Sequence, residues 1–251
     1  MKLLITGASG KLGKHLAKLF PSALRPTHKE LDITDEKHVH AYIYNEQVDT
    51  VIHCAALTNI RVCEQSPELA YKVNVQGTVN IIAALADRLL YNRMLNQLEK
   101  RTPYLIYIST ACVFSGAKGN YVETDLPYPK NYYGLTKLLA EHLVKYSGLK
   151  HLIVRTNFVE REKWPYPGAF VDRWGTYLFA SDVASAIKSV IHQDLAGVVH
   201  ICGEEKMSMF ELAKITTPDI EPLTMKEYHG PPLTVDMSLS SVRLNPFKIS
   251  R

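Results

Sequence analysis

The sequence predicts an α/β fold built on a doubly wound parallel sheet, and three observations lead to this prediction. Short strand-like segments alternate with helical patterns along most of the 251 residues. The first of them, Lys2 to Thr6, runs into a glycine-rich turn and then a helix. Two more, 48–54 and 103–110, are rich in apolar and β-branched residues, as strands buried on both faces are. This alternation favours right-handed β-α-β crossovers and hence a parallel sheet.

The glycine-rich turn has the spacing of a dinucleotide-binding loop. Gly7, Gly10 and Gly13 lie between the first strand and a helix predicted to run to about Phe20. In that context the first glycine allows a tight turn, the second lets a pyrophosphate approach the backbone, and the third lets helix and strand pack closely. Free N–H groups at the helix start, with the helix dipole, would hold phosphate oxygens. A plain β-α turn with three glycines is the alternative.

A second short strand is predicted over 22–25, and its end would lie beside the adenosine ribose of a dinucleotide. A carboxylate there would select NAD, but Arg25 begins a cationic cluster that ends at Lys29. Such a cluster suits a 2′-phosphate, so we expect NADP as the cofactor and keep NAD, or mere solvated surface charge, as alternatives. Asp32 and Ile33 could bracket the adenine or belong to an ordinary loop.

The remaining helices and strands continue the alternation. Thr34 or Asp35 is expected to cap a helix over 36–47, and Ala55 and Ala56 follow a buried strand, where small residues let a cofactor lie close. A long helix is expected from Pro67 to about Lys100, with a charged second half. The segment 157–175 is expected to be a loop over the mouth of the sheet, Ser181-Asp182 and Ser208 are expected to cap later helices, and the chain beyond Thr216 is expected to be an irregular tail.

Tyr133 and Lys137 are the strongest candidates for chemistry. They are four residues apart at the predicted start of a helix and therefore share one face. An ammonium beside a phenol favours the phenolate, so we expect Lys137 to lower the pKa of Tyr133 toward the range of a general acid or base. A tyrosine and a lysine at this spacing are often only half-exposed packing neighbours, so the chemical interpretation depends on other motifs in the chain. The strand over 103–110 supports the chemical interpretation because it ends in two hydroxyls, Ser109 and Thr110.

Together these motifs resemble those of the extended short-chain dehydrogenase/reductases, which have a Rossmann-type fold, and within them most closely the dTDP-4-dehydrorhamnose reductases (RmlD-like). The motifs that carry the resemblance are Gly7-x-x-Gly10-x-x-Gly13, Leu31-Asp32-Ile33-Thr34-Asp35, Ala55-Ala56-Leu57-Thr58, Ser109-Thr110-x-x-Val113-Phe114, Tyr133-Gly134-Leu135-Thr136-Lys137, Val154-Arg155-Thr156 and His200-Ile201-Cys202-Gly203. Only the glycine loop and Tyr-x-x-x-Lys are shared by the wider superfamily.

The resemblance implies roles for individual residues. Tyr133 would donate a proton to a sugar carbonyl, Lys137 would bind the nicotinamide ribose and tune the tyrosine, and Thr110, or Ser109 in its place, would hydrogen-bond the reacting oxygen. The implied division is a cofactor-binding domain over 1–156 and a reduced substrate-binding region over 157–251, intertwined with late Rossmann elements. The predicted cofactor contacts are Gly7, Ser9, Gly10, Lys11, Leu12, Gly13, Arg25, Asp32, Ile33, Ala55, Ala56, Thr58, Asn74 and Lys137.

Two departures from the family pattern concern the substrate. Family members usually carry Ser-Thr-Asp-Tyr where this chain has Ser109-Thr110-Ala111-Cys112, and the segment between Phe158 and Trp174 is much shorter than the family's insertion. Three functions therefore compete. The first is an NAD(P)H-dependent reductase of a nucleotide-linked 4-keto-6-deoxy sugar, and the second is an epimerase or dehydratase with the same fold. The third is a non-catalytic, cofactor-binding regulatory subunit similar to the beta subunit of methionine adenosyltransferase.

Composition limits the classes of ligand and partner that we expect for this protein. The net charge is only +4 and comes with no long basic run, so we expect a small-molecule nucleotide sugar and no nucleic acid. The first apolar run is too short for a signal peptide and none is long enough to cross a membrane, so a cytoplasmic protein without a membrane partner is expected, with a homodimer as an option. The four cysteines have no C-x-x-C spacing and the histidines show no ligand pattern, so we predict reduced thiols and no metal site.

Overall fold

The fold is known from a computed structural model, which describes residues 2–95 and 102–250. The strands are β1 (Leu3–Thr6), β2 (Thr50–His53), β3 (Tyr104–Ile108), β4 (Lys150–Thr156), β5 (Phe158–Val159), β6 (Gly168–Phe170), β7 (Trp174–Gly175), β8 (Leu178–Phe179), β9 (Gly197–Ile201), β10 (Met207–Ser208) and β11 (Glu221–Leu223). The α-helices are α1 (Lys11–Leu19), α2 (Glu36–Asn45), α3 (Ile60–Gln65), α4 (Pro67–Tyr71), α5 (Gly77–Met94), α6 (Tyr132–Lys145), α7 (Ala180–His192) and α8 (Met209–Lys214).

A five-stranded sheet in the order β1-β2-β3-β4-β9 forms the centre, and every pairing in it is parallel. Its apolar side chains are buried on both faces, which explains why the strand segments show no alternation of polar and apolar residues. Helices α1 and α7 cover one face, and α2, α5 and α6 cover the other. The predicted doubly wound α/β fold is confirmed.

Three local predictions need correction. The strand expected over 22–25 is reduced to a single bridge between Leu24 and Leu4, because prolines at both ends of the segment cannot donate to a strand ladder. The long helix from Pro67 is interrupted by a π-helical turn over Lys72–Gln76, and its charged part beyond residue 95 lies outside the described residues up to 101. Helix α7 begins before Ser181, since Asp182 accepts from the backbone N–H of the N-cap Phe179 at 3.2 Å.

The late part of the chain is more regular than expected. Strands from 157–175, predicted as a loop, pair with neighbours in three small two-stranded sheets: β5 with β8, β6 with β11, and β7 with β10. The predicted tail supplies β11 and also a segment whose Met237 N–H donates to Trp174 O at 2.8 Å. These pairings join residues far apart in sequence, so no local pattern announces them.

The carboxyl ends of β1 to β4 meet along one edge of the sheet, where parallel α/β folds bind ligands. The glycine loop follows β1, Cys54 follows β2, Ser109 follows β3 and Asn157 follows β4. Over 2–95 and 102–250, no helix is both long and apolar enough to cross a membrane.

Candidate active site

The glycine loop is shaped so that side chains would not fit. Gly7 has φ +67°, and a Cβ there would lie 2.7 Å from Ala55 N. A Cβ on Gly13 would lie 2.1 Å from Gly7 O, so α1 packs directly on the loop backbone. No side chain in the described part of the chain caps α1, whose first turn has no acidic residue, so its N–H groups are available to an anion. Ser9 and Lys11 are exposed beside this end, whereas the side chain of Leu12 is buried in the core.

The predicted adenosine side has the exposed guanidinium of Arg25 and a carboxylate that is already bonded within its own turn. Arg25 follows the Leu24 bridge, and its guanidinium donates to Pro21 O at 3.3 Å. Asp32 accepts from both the backbone N–H and the hydroxyl of Thr34, each at 2.9 Å, so it closes its own turn. Ile33 is buried against Gly77, where an added Cβ would lie 2.7 Å from Ile33 Cδ1. Arg25 therefore remains the more available of the predicted polar contacts here.

The loop after β2 is held from behind by Asn74, which is 1% exposed. Asn74 Oδ1 accepts from Leu57 N at 2.7 Å, while its Nδ2 donates to Leu57 O at 3.0 Å and to Thr136 Oγ1 at 2.9 Å. Both amide hydrogens are therefore used within the protein. Asn74 therefore ties the 55–58 loop to α6, and its contact with the cofactor stays a prediction. Ala55 and Ala56 are partly buried, and Thr58 is exposed.

Helix α6 places Tyr133 and Lys137 at the sheet edge. Asn131 caps the helix by accepting from Gly134 N at 2.8 Å. A Cβ on Gly134 would lie 2.3 Å from Cys112 O, so the first turn packs closely on the segment that follows β3. In that position Tyr133 is within hydrogen-bonding reach of the Thr110 side chain. The structure thus brings together Thr110, Tyr133 and Lys137.

The expectation for the pKa of Tyr133 was wrong in sign. Burial raises this pKa well above its ordinary value, the neighbouring Cys112 adds to the rise, and the hydrogen bond with Thr110 opposes it. Lys137 is 3% exposed, and burial lowers its pKa to about 7, with Glu141 acting in the opposite direction. Its ammonium nitrogen lies 4.1 Å from the centroid of the Tyr107 ring. Loss of hydration is the largest cause of both pKa shifts.

Ser109 has a different partner from the one expected. Its hydroxyl donates to Glu141 Oε1 at 2.5 Å, and the same carboxylate accepts from the guanidinium of Arg155 at 2.7 Å. Ser109 is 4% exposed and is therefore part of a network behind Lys137, whereas Thr110 lies beside Tyr133. Sequence reasoning missed Glu141, although its position one turn after Lys137 on the same helix face was a usable signal.

This chain has Ala111-Cys112 where family members usually have Asp-Tyr, and a residue from the C-terminal part of the chain packs against Cys112. Cys112 Sγ lies 3.7 Å from Met237 Sδ, and Arg173 Nη2 lies 3.3 Å from the same sulfur. Arg173 is 8% exposed and donates from Nε to Thr234 O at 2.9 Å. The sulfur atoms of Cys112 and Met237 therefore pack on the Tyr133 side of the site, and the buried guanidinium of Arg173 contacts Met237.

Comparison with known proteins bears on this site. A family model for the RmlD substrate binding domain matches residues 1–164. A dTDP-4-dehydrorhamnose reductase of Aggregatibacter actinomycetemcomitans is 30% identical over 238 residues, covering 84% of this chain and 76% of that protein. Methionine adenosyltransferase 2 subunit beta of Rattus norvegicus is 28% identical over 246 residues, covering 84% of this chain and 70% of that protein. A dTDP-4-dehydrorhamnose reductase from Bacillus anthracis, solved in complex with NADP, has a TM-score of 0.82 at 26% identity, covering 96% of this chain and 91% of that one.

Proposed function

The chain belongs to the RmlD family, whose model matches residues 1–164, and from that premise we propose that it is an NADPH-dependent reductase of a nucleotide-linked 4-keto-6-deoxy sugar. The observation that carries the proposal is the convergence of Thr110, Tyr133 and Lys137 at the sheet edge. A glycine loop with free helix N–H groups lies along the same edge. Relatives named dTDP-4-dehydrorhamnose reductase support both the reaction and the substrate class.

The residues present fit a dinucleotide. The absence of Cβ atoms at Gly7 and Gly13 and the uncapped start of α1 suit the diphosphate, and Arg25 suits a 2′-phosphate. Lys137 would bind the nicotinamide ribose. The bound cofactor supplies the hydride, and the chain supplies position and electrostatics. An NADP complex of a relative with a TM-score of 0.82 supports the choice of NADPH.

Tyr133 is the proposed proton donor. Because burial raises its pKa, the phenol keeps its proton throughout the neutral range, as the donor of a reduction must. Hydride addition to a carbonyl carbon builds negative charge on the oxygen. The O–H groups of Tyr133 and Thr110 would stabilise that charge more strongly in the transition state than in the ground state. Lys137 adds a positive charge behind the tyrosine when it is protonated.

A cofactor-consumption screen tests the reductase proposal. Purified protein is mixed with NADPH and a panel of dTDP- and UDP-linked 4-keto-6-deoxy sugars, and loss of NADPH absorbance is followed. We expect turnover with at least one member of the panel and none with the corresponding 4-hydroxy sugars. Failure to bind NADPH in a fluorescence titration would remove the proposal at its first step.

A regulatory subunit is the second candidate, favoured by the 28% identity to a protein named as the beta subunit of methionine adenosyltransferase 2. In that case the chain would bind the cofactor and a methionine adenosyltransferase without reducing a sugar. Co-purification with such an enzyme, together with a negative sugar screen, would select this function. NADPH consumption that depends on Tyr133 would reject a purely regulatory role.

An epimerase or dehydratase is less well supported. A dehydratase needs an additional acid or base near the reacting sugar, and this chain has Ala111 after Thr110. Glu141 lies near Ser109, but its carboxylate is held by Arg155. Three epimerase structures similar to this chain are 19% to 20% identical to it and therefore support the fold alone.

The domain division also remains a proposal. Residues 1–156 would bind the cofactor and 157–251 the substrate, and the parts are intertwined because β9 and α7 come from the second range yet complete the central sheet and its cover. Limited proteolysis with and without NADPH would test the boundary. The homodimer remains a prediction, and light scattering would test it.

A further inference from the structure

Glu141 is the centre of a buried network behind the proposed site. Its side chain is 4% exposed, and it accepts from Ser109 Oγ at 2.5 Å. Arg155 donates from Nε to both carboxylate oxygens, at 3.0 and 3.2 Å, and from Nη2 to Oε2 at 2.7 Å. These donors come from the end of β3 and from β4, so two neighbouring strands hold a carboxylate that α6 supplies.

This network leaves the Glu141 carboxylate little freedom. A bidentate guanidinium fixes the plane of the carboxylate. The Arg155 guanidinium is itself held 5.1 Å from the centroid of the Phe114 ring. Glu141 is therefore a charge with a set position, one helical turn from Lys137.

Within 2–95 and 102–250, the other titratable side chains that face Lys137 supply no negative charge near neutral pH. From β2, burial lowers the pKa of His53 to about 3 and leaves it neutral. Burial raises the pKa of Cys54 to about 12, so it remains a thiol. Tyr107 from β3 and Tyr133 from the first turn of α6 are kept protonated by burial, which raises both pKa values.

Burial alone drives Lys137 toward its neutral form, and the attraction of Glu141 opposes this. A neutral amine would not place a positive charge behind Tyr133 when charge develops on the reacting oxygen. We propose that Glu141, anchored by Arg155 and Ser109, is a positioning residue that keeps the buried Lys137 side chain charged for the reaction. The catalytic consequence rests on the reductase function proposed above, whereas the effect on Lys137 does not.

The effect on Lys137 is measured directly by NMR in the cofactor-free protein. Lysine is labelled with ¹³C at Cε, Lys137→Met identifies the signal, and the signal is followed as a function of pH. The wild-type midpoint is expected near the pKa of about 7 that results when burial lowers it and Glu141 opposes the change. Glu141→Gln should lower the midpoint by about one unit or more, because an opposite charge at this range shifts a pKa by that amount. Glu141→Asp, which keeps the charge, should recover part of the shift.

Glu141→Gln leaves Arg155 without its carboxylate and can fail to fold. A second variant, Arg155→Gln, therefore removes the other partner of the same ion pair. It removes a cation and leaves the Glu141 charge less neutralised, so the Lys137 midpoint should rise. The control is Glu123→Gln, which removes another hydrogen-bonded carboxylate, one that accepts from His200 N and Ser241 Oγ. It should leave the midpoint unchanged. A midpoint that stays fixed in the Glu141 variants, or that falls in Arg155→Gln, would overturn the proposal.

Turnover provides the second measurement. At a pH above the Lys137 midpoint, Glu141→Gln should lose about tenfold in rate for each unit by which the midpoint falls, and it should recover the rate as the pH is lowered. A loss by the same factor at every pH would indicate a purely structural role. If no sugar is reduced by the wild type, the reductase proposal fails, while the NMR shift still decides the role of Glu141.

Discussion

Replacing Tyr133 by Phe removes one hydroxyl and leaves the ring that packs against Cys112 and Met237. The phenol oxygen lies within hydrogen-bonding reach of the Thr110 side chain, and losing that interaction should change the free energy of unfolding by no more than about 1 kcal/mol. The reaction, in contrast, loses its proton donor. A positioned general acid is worth about 100-fold to 10,000-fold in rate, which corresponds to a barrier higher by about 3 to 5 kcal/mol.

The assay measures steady-state NADPH consumption with the sugar identified in the screen, alongside NADPH affinity by fluorescence. Turnover should fall at least about 100-fold while the NADPH dissociation constant stays within about twofold. Tyr132→Phe is the matched control, because Tyr132 is the adjacent tyrosine of the same turn and its backbone N–H donates to Glu64. Equal turnover in wild type and Tyr133→Phe, or equal losses in both tyrosine variants, would refute the assignment of Tyr133.

Three further variants test the cofactor site and the buried lysine. Gly13→Ala should abolish NADPH binding in fluorescence titrations, because its Cβ would lie 2.1 Å from Gly7 O; retained affinity would argue against the loop. Arg25→Ala should weaken the binding of NADPH more than the binding of NADH, and an equal loss of affinity for both would argue against a contact between Arg25 and the 2′-phosphate. Lys137 has a folded pKa of about 7 against an ordinary 10.5, so between these values the unfolded chain binds more protons and stability rises with pH. Lys137→Met should therefore be inactive yet more stable, by up to about 5 kcal/mol below pH 7 in urea unfolding, and a less stable variant would contradict this.

Much of this fold is predictable because short local sequence patterns determine its main elements. The glycine loop, the apolar strands and the helix that begins beside Tyr133 each occupy one short stretch, and parallel order follows from the alternation. The strand predicted over 22–25 is reduced to one bridge for an equally local reason, namely the two flanking prolines. The pairings of β6 with β11 and of β7 with β10 could not be predicted, since each joins segments more than 30 residues apart.

The site divides in the same way. Residue types and spacing identified Tyr133 and Lys137, and the strand end identified Ser109 and Thr110, but which hydroxyl turns toward the tyrosine depends on the partners each one finds. The Ser109 hydroxyl donates to Glu141, a residue 32 positions later, and no spacing rule predicts this hydrogen bond. The sign of the pKa change at Tyr133 was wrong for a related reason. The sequence indicates which charges are near in a helix, whereas desolvation depends on everything that packs around it.

The buried charges also bear on whether the chain is a reductase or only a binding subunit. Holding Lys137 charged at 3% exposure is unfavourable by several kcal/mol, and the chain also buries the Glu141–Arg155 pair, an arrangement that apolar residues of similar volume would often match in stability. Binding a ribose hydroxyl requires only a neutral hydrogen-bonding group. A positive charge behind a phenol helps when negative charge develops on an oxygen in front of it, which happens during hydride transfer. The network is therefore better explained by a reaction than by cofactor binding alone, and loss of NADPH affinity without loss of turnover in Glu141→Gln would contradict that explanation.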